Sequence, residues 1–288
     1  MYILTILGII YVIYLCVAFF YYTWNIFENL APSIFPDIQI IRENMKLFKN
    51  HFKNNIDIII PNKLGTIYRI KNKNSPYTII LFPDPYLKSI DFLNLIADLH
   101  NYGTIITFDQ FYNSHKINLV DIENYYLNMF KLAISEFKFD YTKVSINGVG
   151  LGCNSIVNLL GNRNILIDKT CPICKFFDEI TNNLYSIVFM NPLIYDGYFD
   201  YLSNLLNNNK LRGNYFIKNN YSLDRMTYVL NKNTKIMIIS DNLSRTALLR
   251  SKLTTSTNPL VVEIKLQNNG NNVYLDEEYM YIMGDFYK

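Results

Sequence analysis

The chain has 288 residues, half of them apolar and 18% charged, which is enough hydrophobic sequence for one large domain and excludes a largely disordered protein. The net charge is only +3 and no long run of like charges occurs. This pattern excludes a strongly basic nucleic-acid-binding protein, and we expect no nucleic-acid partner.

The first element in chain order is an uncharged, apolar segment that begins at Tyr2 and ends at Trp24. As an α-helix, at about 1.5 Å per residue, it could cross the roughly 30 Å hydrocarbon layer of a membrane, and its aromatic end is typical of the membrane interface. We predict an uncleaved single-pass anchor at residues 1–24, which contacts the membrane through residues 2–24. A signal peptide cleaved after the small residues at 16–18 and a buried soluble helix remain as alternatives.

The next segment, residues 25–54, is amphipathic and contains two prolines, Pro32 and Pro36. It predicts a connector close to the membrane. Its basic residues outnumber its acidic ones towards the carboxyl end, which favours a body on the cytoplasmic side.

Beyond the connector, residues 55–288 alternate between apolar strand-like runs and amphipathic helical patterns. Strands are predicted at 56–60, 66–70, 77–82, 104–108, 144–147, 185–190, 235–240 and 260–266, and helices at 89–101, 119–137, 155–160 and 276–287. Such alternation predicts one α/β domain with a mainly parallel sheet and helices on both faces.

A glycine-rich turn follows the strand predicted at 144–147, in the sequence VSINGVGLGC. Its glycines are Gly148, Gly150 and Gly152. The spacing matches the G-x-S-x-G turn that presents a nucleophilic serine between a strand and a helix, except that the middle residue has no side chain. An anion-binding glycine loop is a weaker interpretation, because the dinucleotide fingerprint places its third glycine one residue later.

The four cysteines predict neither a disulfide framework nor a metal centre. Cys171 and Cys174 form a single C-x-x-C motif without a second pair, and all three histidines lie upstream, at positions 51, 100 and 115. A structural zinc site or a redox motif remains as an alternative, but we expect no cofactor and no metal.

With the anchor, the glycine turn and the order of elements together, the chain resembles the α/β-hydrolase superfamily, and within it the single-span, membrane-anchored serine esterases and thioesterases. The similar stretches are TIILFPDPY, TIITFDQF, VSINGVGLGC, TKIMIISDNLS and VVEIKLQNNGNN. The 38 Asn and 39 Ile against 5 Ala indicate A/T-rich codons and resemble the composition of proteins from large DNA viruses and AT-rich protists.

The resemblance implies a Ser, acid, His triad in that chain order. The matching positions are Gly150 for the nucleophile, Asp241 for the acid (Ser244 being better spaced) and Asn272 for the histidine. No histidine occurs after His115. Pro83-Asp84-Pro85 stands where an oxyanion loop is expected, and two prolines remove two N–H groups.

Two hypotheses follow. In the first, the protein is a catalytically degenerate α/β-hydrolase, a pseudoenzyme that serves as a binding or scaffold module for a protein, peptide or lipid at a membrane. In the alternative, it hydrolyses acyl esters or thioesters with a non-standard residue, for which Asp84 acting with Asp241 is the candidate.

Cys153 is expected to point away from the nucleophile position.

Overall fold

The structure is a computed structural model. It describes residues 6–19, 38–60, 65–84, 92–110, 128–130, 132–133, 135–137, 143–150, 152–161, 184–192, 234–240, 253, 261–265 and 277–287.

Eight strands of the described chain form one sheet. They are β1 (Ile56–Ile59), β2 (Gly65–Ile70), β3 (Tyr77–Phe82), β4 (Gly103–Gln110), β5 (Val144–Val149), β6 (Leu184–Met190), β7 (Lys235–Ser240) and β8 (Val261–Lys265). Their order is β1-β2-β4-β3-β5-β6-β7-β8. The six strands from β4 to β8 in this order are parallel, and the hairpin β1-β2 adds an antiparallel edge. The predicted mainly parallel sheet is confirmed.

The described helices are α1 (residues 6–19), α2 (Ile38–Phe52), α3 (Leu93–His100), α4 (Gly152–Gly161) and α5 (Glu277–Phe286). Helical residues are also described within 128–136, which is the carboxyl-terminal part of the helix predicted at 119–137. The rest of that predicted helix lies outside the described residues.

The residues of α1 fall inside the predicted anchor, and its apolar side chains, such as those of Tyr11 and Tyr14, are exposed. Over the part of the chain that the structure describes, no helix has both the length and the apolar character needed to span a membrane. The rest of the predicted span, at 2–5 and 20–24, lies outside the described residues. The anchor therefore stays a prediction.

One face of the sheet packs against α2, α3 and α5. The core on this side contains side chains from each of these helices: Phe48 and Phe52 of α2, Leu95, Ile96 and Leu99 of α3, and Tyr279 and Met283 of α5. Helix α2 lies in the predicted connector, and its aromatic side chains reach this core. On the other face, Phe82 contacts Phe130 with ring centroids 6.0 Å apart, and α4 packs through Cys153 and Ile156 close to Gly148.

A buried hydrogen-bond network joins the end of α5 to the middle of the sheet. The hydroxyl of Tyr287 lies 2.8 Å from Ser145 Oγ and donates to Asn147 Oδ1 at 3.1 Å, and Ser186 Oγ donates to Ser145 Oγ at 2.7 Å. Burial raises the pKa of Tyr287 to about 12, although hydrogen bonds to Ser145, Asn147 and Ser186 oppose this rise. The phenol therefore stays protonated and holds the carboxyl-terminal helix against β5 and β6.

This network predicts that Tyr287→Phe lowers the free energy of unfolding by about 1–2 kcal/mol, because buried hydrogen-bonding groups of β5 lose their partner. Urea unfolding followed by circular dichroism measures the change. The matched control is Tyr281→Phe on the same helix, whose side chain is 73% exposed. This control is expected to change stability by less than about 0.5 kcal/mol. Equal effects of the two variants would contradict the structural role of the network.

Candidate active site

The candidate site lies at the carboxyl ends of the parallel strands, where β5 turns into α4. Gly150 connects the two elements, and its φ of 56° is in the left-handed region that favours glycine. The Gly150 N–H donates to the carbonyl oxygen of Met190 at 2.8 Å, and the Cys153 N–H donates to the Gly150 carbonyl at 3.3 Å. The first bond attaches the turn to the end of β6, and the second attaches it to the first turn of α4. The expected strand-to-helix elbow is therefore present at Gly150.

The carboxylate of Asp84 occupies the space in front of Gly150. Asp84 follows β3 by two residues, and its residue exposure is only 4%. A Cβ atom built on Gly150 would overlap the Oδ2 atom of Asp84 and would lie 3.1 Å from its Cγ. A carboxylate thus stands where the side chain of an elbow nucleophile would emerge.

The loop that carries Asp84 is pressed against the start of α4. A Cβ atom on Gly152 would overlap the carbonyl oxygen of Phe82 and would lie 2.7 Å from that of Pro83. Only glycine permits this close approach of two backbone segments. Because Phe82 pairs with Gly148 across the parallel strands β3 and β5, the register brings the two segments to the same level. Sheet register and a missing side chain together place Asp84 at the elbow.

Cys153 is not a nucleophile in this arrangement. It is fully buried, and its Sγ donates to the carbonyl of Met190 at 3.7 Å. Burial raises the pKa of the Cys153 thiol far above its ordinary value, and the negative charge of Asp84 adds to the rise. Since the thiolate is the reactive form, the thiol is inert.

Three further buried polar residues lie at the carboxyl edge of the sheet, and sequence reasoning did not single them out as a group. Asp109 on β4 accepts a hydrogen bond from the Tyr68 hydroxyl at 2.7 Å. Asn191 follows β6 with a φ of 46° and donates its N–H to the Ile239 carbonyl at 2.7 Å. The Oγ of Ser240, at the end of β7, is buried without a hydrogen-bond partner among the described residues.

Of these three, Asn191 gave a recognisable signal in the sequence. It stands in Met190-Asn191-Pro192, where an amide side chain directly follows a buried strand and precedes a proline. Asn tolerates a left-handed backbone better than most residues, and such conformations cluster at functional sites.

The other predicted site residues cannot be compared with this geometry. Asp241, Ser244, Asn272 and Pro85 all lie outside the described residues, as do Cys171 and Cys174. Within the described part of the chain, no group of three or more His, Cys, Asp or Glu side chains is arranged to hold a metal ion.

The sheet topology and the elbow are those of an α/β-hydrolase fold. Comparison with solved structures supports this fold. No protein-family model matches the chain, and no curated protein is similar to it in sequence. An α/β-hydrolase from Vibrio vulnificus has a TM-score of 0.57 and 11% identity over 92% of this chain and 90% of that chain. One of two fungal esterases from Rhizomucor miehei has a TM-score of 0.55 and 9% identity, with 92% and 93% covered. The esterase Pf2001 of Pyrococcus furiosus has a TM-score of 0.55 and 14% identity, with 83% and 94% covered.

The contact between Asp84 and Gly150 predicts the outcome of restoring a serine. Gly150→Ser is expected to lower the free energy of unfolding by about 1 kcal/mol or more, because its Cβ overlaps Asp84 and its backbone is strained. We expect no more than trace gain in p-nitrophenyl acetate turnover, since no histidine follows His115 to accept the proton. Adding Asn272→His is expected to give only a weak further gain over the wild-type rate.

A double-mutant cycle separates the two causes of instability. In an Asp84→Ala background the overlap is gone but the left-handed backbone remains, so Gly150→Ser should cost less than in the wild type and still more than zero. Equal costs in both backgrounds would show that Asp84 does not fill the space at Gly150. A large gain over the wild-type rate from Gly150→Ser alone would reveal a group already in place that activates the new serine.

Proposed function

We propose that the protein is a hydrolase of acyl esters or thioesters in which Asp84 acts as a general base on water. The observation that carries this proposal is the buried carboxylate of Asp84 in the space of the elbow nucleophile. The esterases that share the fold support the reaction class only through this common architecture.

The proposed reaction needs neither a serine nor a histidine. Asp84 removes a proton from a water molecule while the water oxygen attacks the carbonyl carbon of the substrate. The tetrahedral intermediate then collapses, the bond to the alcohol or thiol breaks, and Asp84 returns the proton to this leaving group. Carboxylates perform such general acid and base steps in many enzymes.

The amino end of α4 supplies favourable electrostatics for this step. Helix amino termini carry partial positive charge and free N–H groups, which stabilise anions. The same end of α4 can therefore stabilise both the Asp84 carboxylate and the developing oxyanion. The Gly150 N–H is not available for this purpose, because it donates to the Met190 carbonyl.

The second candidate function is the pseudoenzyme, a catalytically silent module that binds a lipid, a peptide or another protein at a membrane. The elbow without a serine and the absence of histidine after His115 favour this candidate. It shares the proposed membrane contact through residues 2–24 and the proposed cytoplasmic position of the body.

Removing the Asp84 charge separates the two candidates. We expect the purified full-length protein to hydrolyse p-nitrophenyl butyrate or a short acyl thioester, and Asp84→Asn to lower kcat by about 100-fold or more, the usual contribution of a general base. Asp98→Asn is the matched control: it makes the same chemical change on α3, and its activity should equal that of the wild type. A fluorophosphonate probe should label no serine in any of the three proteins, as peptide mass spectrometry would show.

The outcomes of these assays decide between the hydrolase and the binding module. Circular dichroism must show the same fold for both variants. If the wild type gives no turnover above the buffer rate, the hydrolase is wrong and the binding module is favoured. If Asp84→Asn retains full activity, another group is the base. Fluorophosphonate labelling of a serine in the wild type would reveal a serine nucleophile.

Membrane residence is tested separately. The exposed apolar side chains of α1 support a membrane contact, and we expect the expressed protein to stay in the pellet after carbonate extraction. A variant that lacks residues 1–24 should move to the supernatant. Release of the full-length protein, or a mature amino terminus near Phe19, would contradict an uncleaved anchor.

A further inference from the structure

A second cluster of reactive groups lies at the amino-terminal ends of the parallel strands. Asp84 lies at the opposite, carboxyl-terminal ends. The strands β3, β5, β6 and β7 are consecutive neighbours, and their amino ends carry two tyrosines and two lysines. Tyr77 begins β3, Lys143 immediately precedes β5, Tyr185 is the second residue of β6, and Lys235 begins β7. Parallel pairing therefore places all four residues along one edge.

An irregularity in the sheet sets the position of Tyr185. Val144 pairs with Leu184 and Ser145 pairs with Ser186, so Tyr185 is an extra residue on β6. Such bulges redirect a side chain and are common near functional sites. The Tyr185 ring lies beside that of Tyr77, with centroids 5.0 Å apart, and it is only partly buried.

Two cations stand over these rings. Lys235 Nζ donates a hydrogen bond to the Tyr185 hydroxyl oxygen at 2.6 Å and lies 4.7 Å from the centroid of the same ring. Lys143 Nζ lies 5.2 Å from the Tyr77 centroid. The ion pairs of Asp57, with Arg69 and Lys71, involve neither of these lysines. Their positive charge acts on the phenols.

The surroundings favour loss of the proton from Tyr185 before Tyr77. Burial raises the pKa of Tyr185, but hydrogen bonds from Lys235 and Tyr77 and the charges of Lys235 and Lys143 outweigh it, and the pKa lies below its ordinary value. Burial, with the hydrogen bond to Tyr185, raises the pKa of Tyr77 to about 12. Tyr287, whose ring also contacts that of Tyr77, is buried and has a raised pKa.

We propose that Tyr185 is a nucleophilic tyrosine, and that the amino-terminal edge of the sheet is a second reactive site, which takes electrophilic sulfonyl or phosphoryl groups. The phenolate oxygen attacks the sulfur or phosphorus atom, a new O–S or O–P bond forms, and the bond to the leaving group breaks. Lys235 holds the oxygen in its reactive form. The site is independent of the elbow and of the hydrolysis proposed there.

The test is covalent labelling of the full-length protein with an aryl sulfonyl fluoride, which releases fluoride as the tyrosine ester forms. Peptide mass spectrometry measures the labelling rate of each tyrosine. Tyr281 is the internal reference, because it is 73% exposed and outside this cluster. We expect Tyr185 to react faster than Tyr281 despite its lower exposure. Equal or faster labelling of Tyr281 would overturn the proposal, whether or not any variant folds.

Variants assign the effect to the lysine. Lys235→Met should slow labelling of Tyr185 by about tenfold, because the phenolate loses the nearby cation that stabilises it, and leave Tyr281 unchanged. Lys235→Arg, which keeps the charge, should retain most of the rate. Unchanged labelling of Tyr185 in Lys235→Met would contradict the role of the lysine. Asp84→Asn should label as the wild type does, so failure of the proposed hydrolysis leaves this result unaffected.

Discussion

The backbone of Phe82 and Pro83 contacts the first turn of α4 at a distance that only a glycine at position 152 allows. This contact holds the loop after β3 against the elbow after β5, and the candidate site depends on it. With any larger residue at 152 the loop would have to move away, and Asp84 could not reach the space in front of Gly150. The absence of two side chains therefore determines where one carboxylate stands.

The two ends of the parallel strands carry different chemical groups, and the same sheet topology positions both sets of groups. At the carboxyl edge, the buried Asp84 lies beside the positive end of a helix, as expected for α/β folds, in which sites lie at the carboxyl ends of strands. At the amino edge, Lys235 and Tyr185 are brought together by parallel neighbours and a bulge. Between the edges, the network of Tyr287 fixes the last helix to the sheet.

The strands could be predicted from the sequence because central parallel strands are mainly apolar runs. β3 and β6 are of this kind, and β5 combines Val and Ile residues with Ser145 and Asn147. The elbow could also be placed, because three spaced glycines follow one such strand. The contact of Asp84 with Gly150 could not be predicted, since it depends on strand order, register and the path of a proline-containing loop. The bulge at Tyr185 depends on one shifted pairing, which leaves no mark in the local pattern of apolar residues.

The most direct test of the account is a single turnover of an acyl ester by the full-length protein in water enriched in the heavy oxygen isotope. Mass spectrometry then locates the isotope in the released acid and in the peptide that contains Asp84. If Asp84 is the base, the released acid carries the heavy oxygen and Asp84 carries none. Heavy oxygen in the Asp84 carboxylate would show that it attacks the substrate itself, and formation of labelled acid no faster than in buffer would contradict catalysis.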